Sequence, residues 1–264
     1  MSFVFGALAA ILIGVILGLI GGGGSILTVP VLAYLFGLPG ESATGSSLVV
    51  VGVCAIAGSI SSWKNKEFDP KQVLLFGIPG AAVAFMTRKW IVPGLPAQIA
   101  GLERGTFLLV IFGFLMLFIA IRGLIQNSIE ESHNEPKPSL IPLVGAGVGF
   151  VSGMVGAGGG FLIVPALIAF LSLDMKKAVA TSLAIISIQS LVGFTGEVAS
   201  GAEIPWKIIG LAAGMALLGL LVGQAARARV SGAQLKKGFS VFVLLMGIFV
   251  VGKELIFPMF FGTS

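Results

Sequence analysis

Long uncharged, apolar stretches alternate with short polar clusters along this chain. Residues 1–40, 42–63, 72–87, 105–121, 139–173, 178–196, 208–226 and 238–252 contain no Asp, Glu, Lys or Arg. A helix crossing a hydrocarbon core of about 30 Å needs about 20 apolar residues. Most of these stretches therefore hold one spanning helix, and the two longest hold a hairpin of helices. The pattern predicts five apolar segments at roughly 3–20, 26–38, 44–63, 72–92 and 104–125. Five more follow at roughly 140–156, 161–173, 178–200, 205–226 and 238–257. Between the sets lies "QNSIEESHNEPKPS", residues 126–139, which is polar, holds two prolines and reads as a linker. The expected division is an N-terminal membrane repeat over 1–125, a cytoplasmic linker over 126–139 and a C-terminal membrane repeat over 140–264.

Within the first uncharged stretch, "LIGGGGSILTVP" at residues 19–30 interrupts the apolar run with four consecutive glycines. Glycine costs a helix roughly 1 kcal/mol per residue relative to alanine. In lipid, any backbone group it frees must still find a partner. A shift of 135 residues lays Gly18–Leu48 over Gly153–Leu183 without a gap, with 12 of 31 positions identical. The identities include Gly21/Gly156, Gly23/Gly158, Gly24/Gly159, Pro30/Pro165 and Ser47/Ser182, and Pro70 falls on Pro205. Hydrophobic bias does not align glycines and prolines, so the chain is an internal duplication.

Composition places this pattern in a bilayer. Only 10% of the residues are charged and 56% are hydrophobic, against about 25% charged in soluble domains. The apolar N-terminus reads as a retained helix rather than a signal peptide. A net charge of +5 suits cytoplasmic loops and gives no reason to expect nucleic acid. The distribution of that charge also bears on orientation. "KNKEFDPK" at 64–71 is basic, whereas its equivalent "ASGAEIPW" at 199–206 has one Glu and no Lys or Arg; Lys176 and Lys177 align with Glu41 and Ser42. Positive short loops stay in the cytoplasm, so equivalent loops face opposite sides, as an odd number of crossings per half requires. The expected fold is an all-α polytopic membrane protein of two inverted-topology repeats, about five segments each. Each repeat starts with a glycine-broken short helix. The protein is expected in the inner cell membrane, multi-pass, with both termini outside. Arg88, Lys89 and Arg104 then fall outside, against the charge rule.

Inverted repeats with glycine-interrupted segments at matching positions point to a transporter site near the midplane. A turn inside the membrane exposes the first amides of the returning helix, and these with the helix dipole suit an anion. The expected substrate-binding residues are Gly22, Gly23, Gly24 and Ser25 in the first half, with Gly158, Gly159 and Gly160 in the second. Tight helix packing by small residues is the structural alternative. "ATGSSL" and "AVATSL" add Thr44, Ser46, Ser47, Thr181 and Ser182 as cavity-lining hydroxyls or helix caps. Gln189, an amide deep in an uncharged segment, is expected to face a cavity or another helix. Glu197 reads as a solvated loop acid, with titration in a proton-coupled cycle as the alternative. Trp63, Trp90 and Trp206 lie at segment ends as interfacial anchors, and the lone Cys54 reads as packing.

The paired elements "GLIGGGGSILTVPVL"/"ATGSSL" and "GMVGAGGGFLIVPAL"/"AVATSL" resemble the TauE/SafE family of membrane permeases. The resemblance spans almost the whole chain, with Ala157 departing slightly from the first copy. It implies transport of small sulfur-containing anions such as sulfite or organosulfonates, and it supplies no catalytic residues. The bottom-up reading reaches an anion only. The expected function is secondary transport by alternating access, with the anion held between the repeats. No enzyme activity, metal or cofactor is expected. The partners are a small anionic substrate, the lipid bilayer and, as options, a coupled proton or other ion and a second copy in a homodimer. A gated anion channel is the alternative. An intramembrane serine hydrolase would need a base, and the single histidine, His133, sits in the linker.

Overall fold

A computed structural model describes residues 2–64, 69–99, 101–125, 140–156, 158–171, 173, 175–226 and 232–256. The protein is all α, apart from one two-residue antiparallel hairpin. The first half contains α1 (Ser2–Ile20), α2 (residues 22–35), α3 (Gly40–Lys64), α4 (Pro70–Gly94) and α5 (Arg104–Ile125). The second contains α6 (Ile141–Val155), α7 (Gly160–Leu171), α8 (Met175–Ala199), α9 (Trp206–Ala226) and α10 (Gly232–Val251), which runs into a π turn at Gly252–Ile256. Each predicted segment coincides with one helix, and the boundaries move by a few residues. Among the described residues, five helices are long and apolar enough to cross a membrane, in α3, α4, α5, α8 and α9. The predicted linker at 126–139 lies outside the described residues, as do 65–68 of the basic loop and 227–231.

Local chemistry explains several helix ends. The Asp69 side chain accepts hydrogen bonds from the amides of Lys71 and Gln72, with Pro70 opening α4. An N-cap acceptor is thus followed by proline at a position whose amide would have no intrahelical acceptor. Gly156 ends α6 in the left-handed region, its amide donating to the Ser152 carbonyl. Helix α2 is irregular: a 3-10 turn over Gly22–Leu27, an α turn over Thr28–Pro30 and a π turn over Val31–Leu35. The expected short returning helix at 26–38 is therefore present but strongly distorted. Another π turn, Thr87–Ile91, lies within α4. Such turns add a residue to the helical register and re-aim side chains.

Small residues bring the helices into backbone contact, as in other bilayer bundles. On α1, Gly14 faces Ala216 and Leu220 of α9, and Gly18 faces Leu220 to Gln224, so these helices run parallel. On α6, Gly145, Gly149 and Gly153 face Phe76, Gly80 and Thr87 of α4, also in parallel. By contrast, Gly45, Gly52 and Gly58 of α3 face Glu197, Leu191 and Leu183 of α8, and Gly113 and Gly247 bring α5 and α10 together antiparallel. Helices α3 and α8 form the centre, where about two thirds of their apolar windows are buried. The first helix of each half thus packs on the fourth helix of the other.

Candidate functional site

The two glycine breaks meet at the middle of the molecule. A Cβ on Gly22 would lie 2.5 Å from the Gly160 Cα, and one on Gly160 would lie 2.5 Å from the Gly22 Cα. Neither position has room for a side chain. The second break holds three glycines at positive φ, Gly156 (76°), Gly158 (65°) and Gly159 (68°). This backbone turns the chain sharply into α7, where the Gly159 carbonyl accepts from the Leu162 and Ile163 amides and the Gly160 and Phe161 amides precede the first intrahelical bond.

Polar side chains gather around this second break. A Cβ on Gly158 would approach Ser190 Oγ to 2.6 Å, and one on Gly159 would approach Ser152 Oγ to 3.4 Å, so both hydroxyls face the turn. Ser152 and Ser190 are buried, and neither hydroxyl has a partner among the described residues. Gln189, wholly buried against Gly80, likewise has neither its Nε2 nor its Oε1 bonded. Buried polar groups are normally satisfied because each lost bond costs about 1–3 kcal/mol. Ser152 and Ser190 bring two such groups to one turn, which makes it the candidate site.

The cluster continues into a buried ion pair. The π turn in α4 directs Arg88 inward, where it is fully buried, and its Nη1 lies 3.2 Å from Glu197 Oε2. The same nitrogen donates to Thr44 Oγ1 at 3.2 Å, while Nη2 makes a long 3.5 Å contact with the Met154 carbonyl. Arg88 Nε has no partner among the described residues. Thr44 donates to the Glu41 carbonyl, and Ser47 donates to the carbonyls of Thr44 and Gly156. Along α8, Ser190, Gly193 and Glu197 share one face, so hydroxyl and carboxylate lie about 10 Å apart.

These observations correct two expectations. Arg88 is not an outside loop cation, and Glu197, 4% exposed, is not a solvated acid. The protein interior carries a charge pair near the ends of α4 and α8, because each partner neutralises the other and Thr44 supplies a further bond. Both residues lie inside the predicted segments 72–92 and 178–200. Opposite charges in two apolar segments are the signal in the sequence, since intramembrane ionisable residues generally pair and mark function.

The structure distributes the remaining expected residues unevenly. Thr44 and Ser47 join the cluster, together with Gly158, Gly159 and Gly160, whereas Gln189 packs against Gly80 on α4. Gly22, Gly23 and Gly24 lie in the 3-10 turn of α2. Ser25 bonds back to the Gly22 carbonyl and Ser182 to the Val179 carbonyl, as local helix hydroxyls do. Thr181 Oγ1 accepts the Asp69 amide at 3.2 Å, which ties α8 to the start of α4. Ser46 is buried within α3.

One helical turn before Thr44, at Glu41, a cleft of about 540 Å³ opens between α2, α3, α5 and the π turn after α10. Arg104 binds Glu41 Oε2 through Nε and Nη2, at 3.1 and 2.9 Å, and Tyr34 donates to Glu254 at 2.9 Å. Lys253 Nζ lies 4.1 Å from the centre of the Tyr34 ring, a cation–π distance. Glu41 links cleft and core, since its carbonyl accepts from the hydroxyl that Arg88 contacts.

Comparison with known proteins agrees with this picture of a transport bundle. The chain is 32% identical to a probable membrane transporter protein of Xylella fastidiosa strain Temecula1 over 92% of both chains. It is 29% identical to the probable membrane transporter protein YunE of Bacillus subtilis, over 76% of this chain and 80% of the relative. A probable membrane transporter protein of Methanocaldococcus jannaschii is also 29% identical, over 73% of each. No solved structure matches significantly. The profile of the family described as sulfite exporter TauE/SafE matches residues 6–250. The chain belongs to that family, and with it to the multi-pass membrane transporters.

Proposed function

We propose that the protein is a secondary carrier for small anions, either sulfite, which the family description names, or a chemically similar sulfonate. The carrying observation is the group of unpartnered, buried donors around the Gly156–Gly159 turn: Ser152 Oγ, Ser190 Oγ and, beside the end of α6, Arg88 Nε. Donors from three helices, the first amides of α7 and a guanidinium form the environment that an oxyanion needs once it leaves water. The polar groups are closed off from solvent, so the anion reaches them only when the bundle opens.

The packing supports an inverted arrangement of the repeats. Repeat-equivalent helices α3 and α8 run antiparallel, while α1 and α4 pack in parallel on the non-equivalent α9 and α6. A two-fold axis lying across the helices produces this pattern, and alternating access follows from rocking one repeat against the other. With both termini outside, the Glu41–Arg104 cleft faces outward as a vestibule.

Thermal-shift measurements across small oxyanions and sulfonates, followed by flux in proteoliposomes, test the reading. We expect stabilisation by sulfite or a sulfonate, saturable flux, and loss of both in Gly158→Val with membrane insertion intact. Flux that never saturates would favour a gated channel. Full activity of Gly158→Val would remove the glycine turn from the site.

A further inference from the structure

We propose that Glu197 is the proton carrier of the transport cycle: an anion docks on the free edge of the Arg88 guanidinium, Glu197 takes up one proton, and the two move together. The proposal rests on the anion-carrier reading above and supplies its coupling ion.

A guanidinium offers a side-on edge formed by Nε and one terminal nitrogen, the geometry that grips an oxyanion with two parallel bonds. In Arg88 the Nη1 atom is occupied by Glu197 and Thr44, whereas Nε is unpartnered and Nη2 has only the 3.5 Å carbonyl contact. That carbonyl belongs to Met154, two residues before the glycine turn, so the free edge lies beside the end of α6. Docking there leaves the Glu197 contact in place at first.

Charge balance then governs the occupied site. When empty, the site is neutral, with one guanidinium and one carboxylate. A monoanion adds a full negative charge to a buried, poorly solvated place, which costs several kcal/mol unless it is compensated. Among the described residues, the surrounding elements offer no further cation. From α3 comes Glu41, within electrostatic reach of Arg88 and already bound by Arg104. From α4 comes Lys89, whose ammonium instead lies over the Phe85 and Trp90 rings. Beside Arg88, α6 offers a carbonyl, and α7 carries no ionisable residue. A proton on Glu197 restores neutrality: the carboxylate becomes a carboxylic acid, and the charge of Arg88 passes to the anion. When the anion leaves, the proton leaves with it and the ion pair reforms.

The full chain in proteoliposomes, with membrane voltage clamped and internal pH followed by a trapped dye, tests this. Methanesulfonate, a monoanion throughout the working range, is the first probe and sulfite the second. We expect one proton per methanesulfonate, insensitivity to voltage, and about tenfold anion accumulation per unit of pH gradient. Glu197→Gln should lose gradient-driven accumulation. Glu197→Asp should keep accumulation with a displaced pH profile. Anion flux without proton uptake in the natural protein overturns the coupling and leaves the carrier reading standing. So does accumulation that survives Glu197→Gln, or a profile unmoved in Glu197→Asp. Absence of flux and thermal shift for both probes overturns the carrier reading and the coupling with it. Should Glu197→Gln fail to elute as one species, the proton-to-anion ratio of the natural protein and the Glu197→Asp profile decide.

Discussion

The two glycine turns differ in backbone and in surroundings: Gly21 alone has a positive φ in the first, which continues as a 3-10 turn, whereas Gly156, Gly158 and Gly159 all have one in the second. A Cβ at Gly24 would meet the Leu17 backbone and the Ile13 carbonyl; one at Gly159, its repeat equivalent, would meet Val148 and then the side chain of Ser152, the equivalent of Leu17. Gly21 faces Val179, and Gly156 faces Thr44, again equivalent positions. Arg88 and Glu197 correspond to Gly223 and Ser62, and Gln189 corresponds to Cys54. Buried hydroxyls lie at both turns, Ser25 and the unpartnered Thr28 at the first and Ser152 and Ser190 at the second, and the ion pair stands beside the second alone. Duplication preserved the glycines because close backbone approach leaves no choice there. It left the side chains around them free to diverge, and the buried ion pair stands beside one copy.

The comparison breaks most visibly at the ion pair. Arg88→Ala leaves a carboxylate buried without its partner and should destabilise the protein by about 3–5 kcal/mol. The readout is thermal unfolding in detergent, and Arg88→Ala/Glu197→Ala should recover part of the loss. An unchanged midpoint in the single variant would mean that the pair is not buried. Exchanging the environments of the turns sharpens the contrast. Leu17→Ser should cost about 2–4 kcal/mol by opening a packed site and create no new anion dependence. Ser152→Leu should abolish stabilisation by anions while the anion-free protein remains folded. If the effects appear the other way round, the first turn is the binding site. Thr44→Val removes one hydrogen bond from Arg88, worth about 1–2 kcal/mol with a charged partner, and should weaken anion affinity about tenfold in titration. The smallest effect belongs to Arg104→Gln in the half-exposed cleft pair, below about 1 kcal/mol, with anion affinity retained.

Much of the architecture was legible because bilayer length and charge spacing leave few alternatives. All ten segments, the duplication and the glycine breaks follow from residues such as Gly21, Gly156, Pro30 and Pro165. The site was legible only in part. Gly158, Gly159 and Thr44 were visible as polar or small groups in apolar segments. Which turn they serve depends on helix packing across the halves, and no periodicity within one half encodes that. Arg88 reads as an outside residue because it precedes Lys89 and Trp90, a run that resembles a membrane boundary. The π turn at Thr87–Ile91 separates the neighbours, sending Arg88 into the core while Lys89 rests over aromatic rings. Backbone register of that kind is set by tertiary contact and is silent in composition.

The exchange of partners between halves also bears on how the protein is made. Helix α1 offers Gly14 and Gly18 to a helix that begins at Trp206. A ribosome adding about 5–20 residues per second needs roughly 10 to 40 s to cover that interval. For all that time α1 must sit in lipid without its mate, and α4 must wait for α6 across the linker. The repeats are thus separable by ancestry, yet neither can complete its own packing during synthesis. A chain cut after the linker should yield a first half that inserts but awaits the second before it becomes resistant to proteolysis.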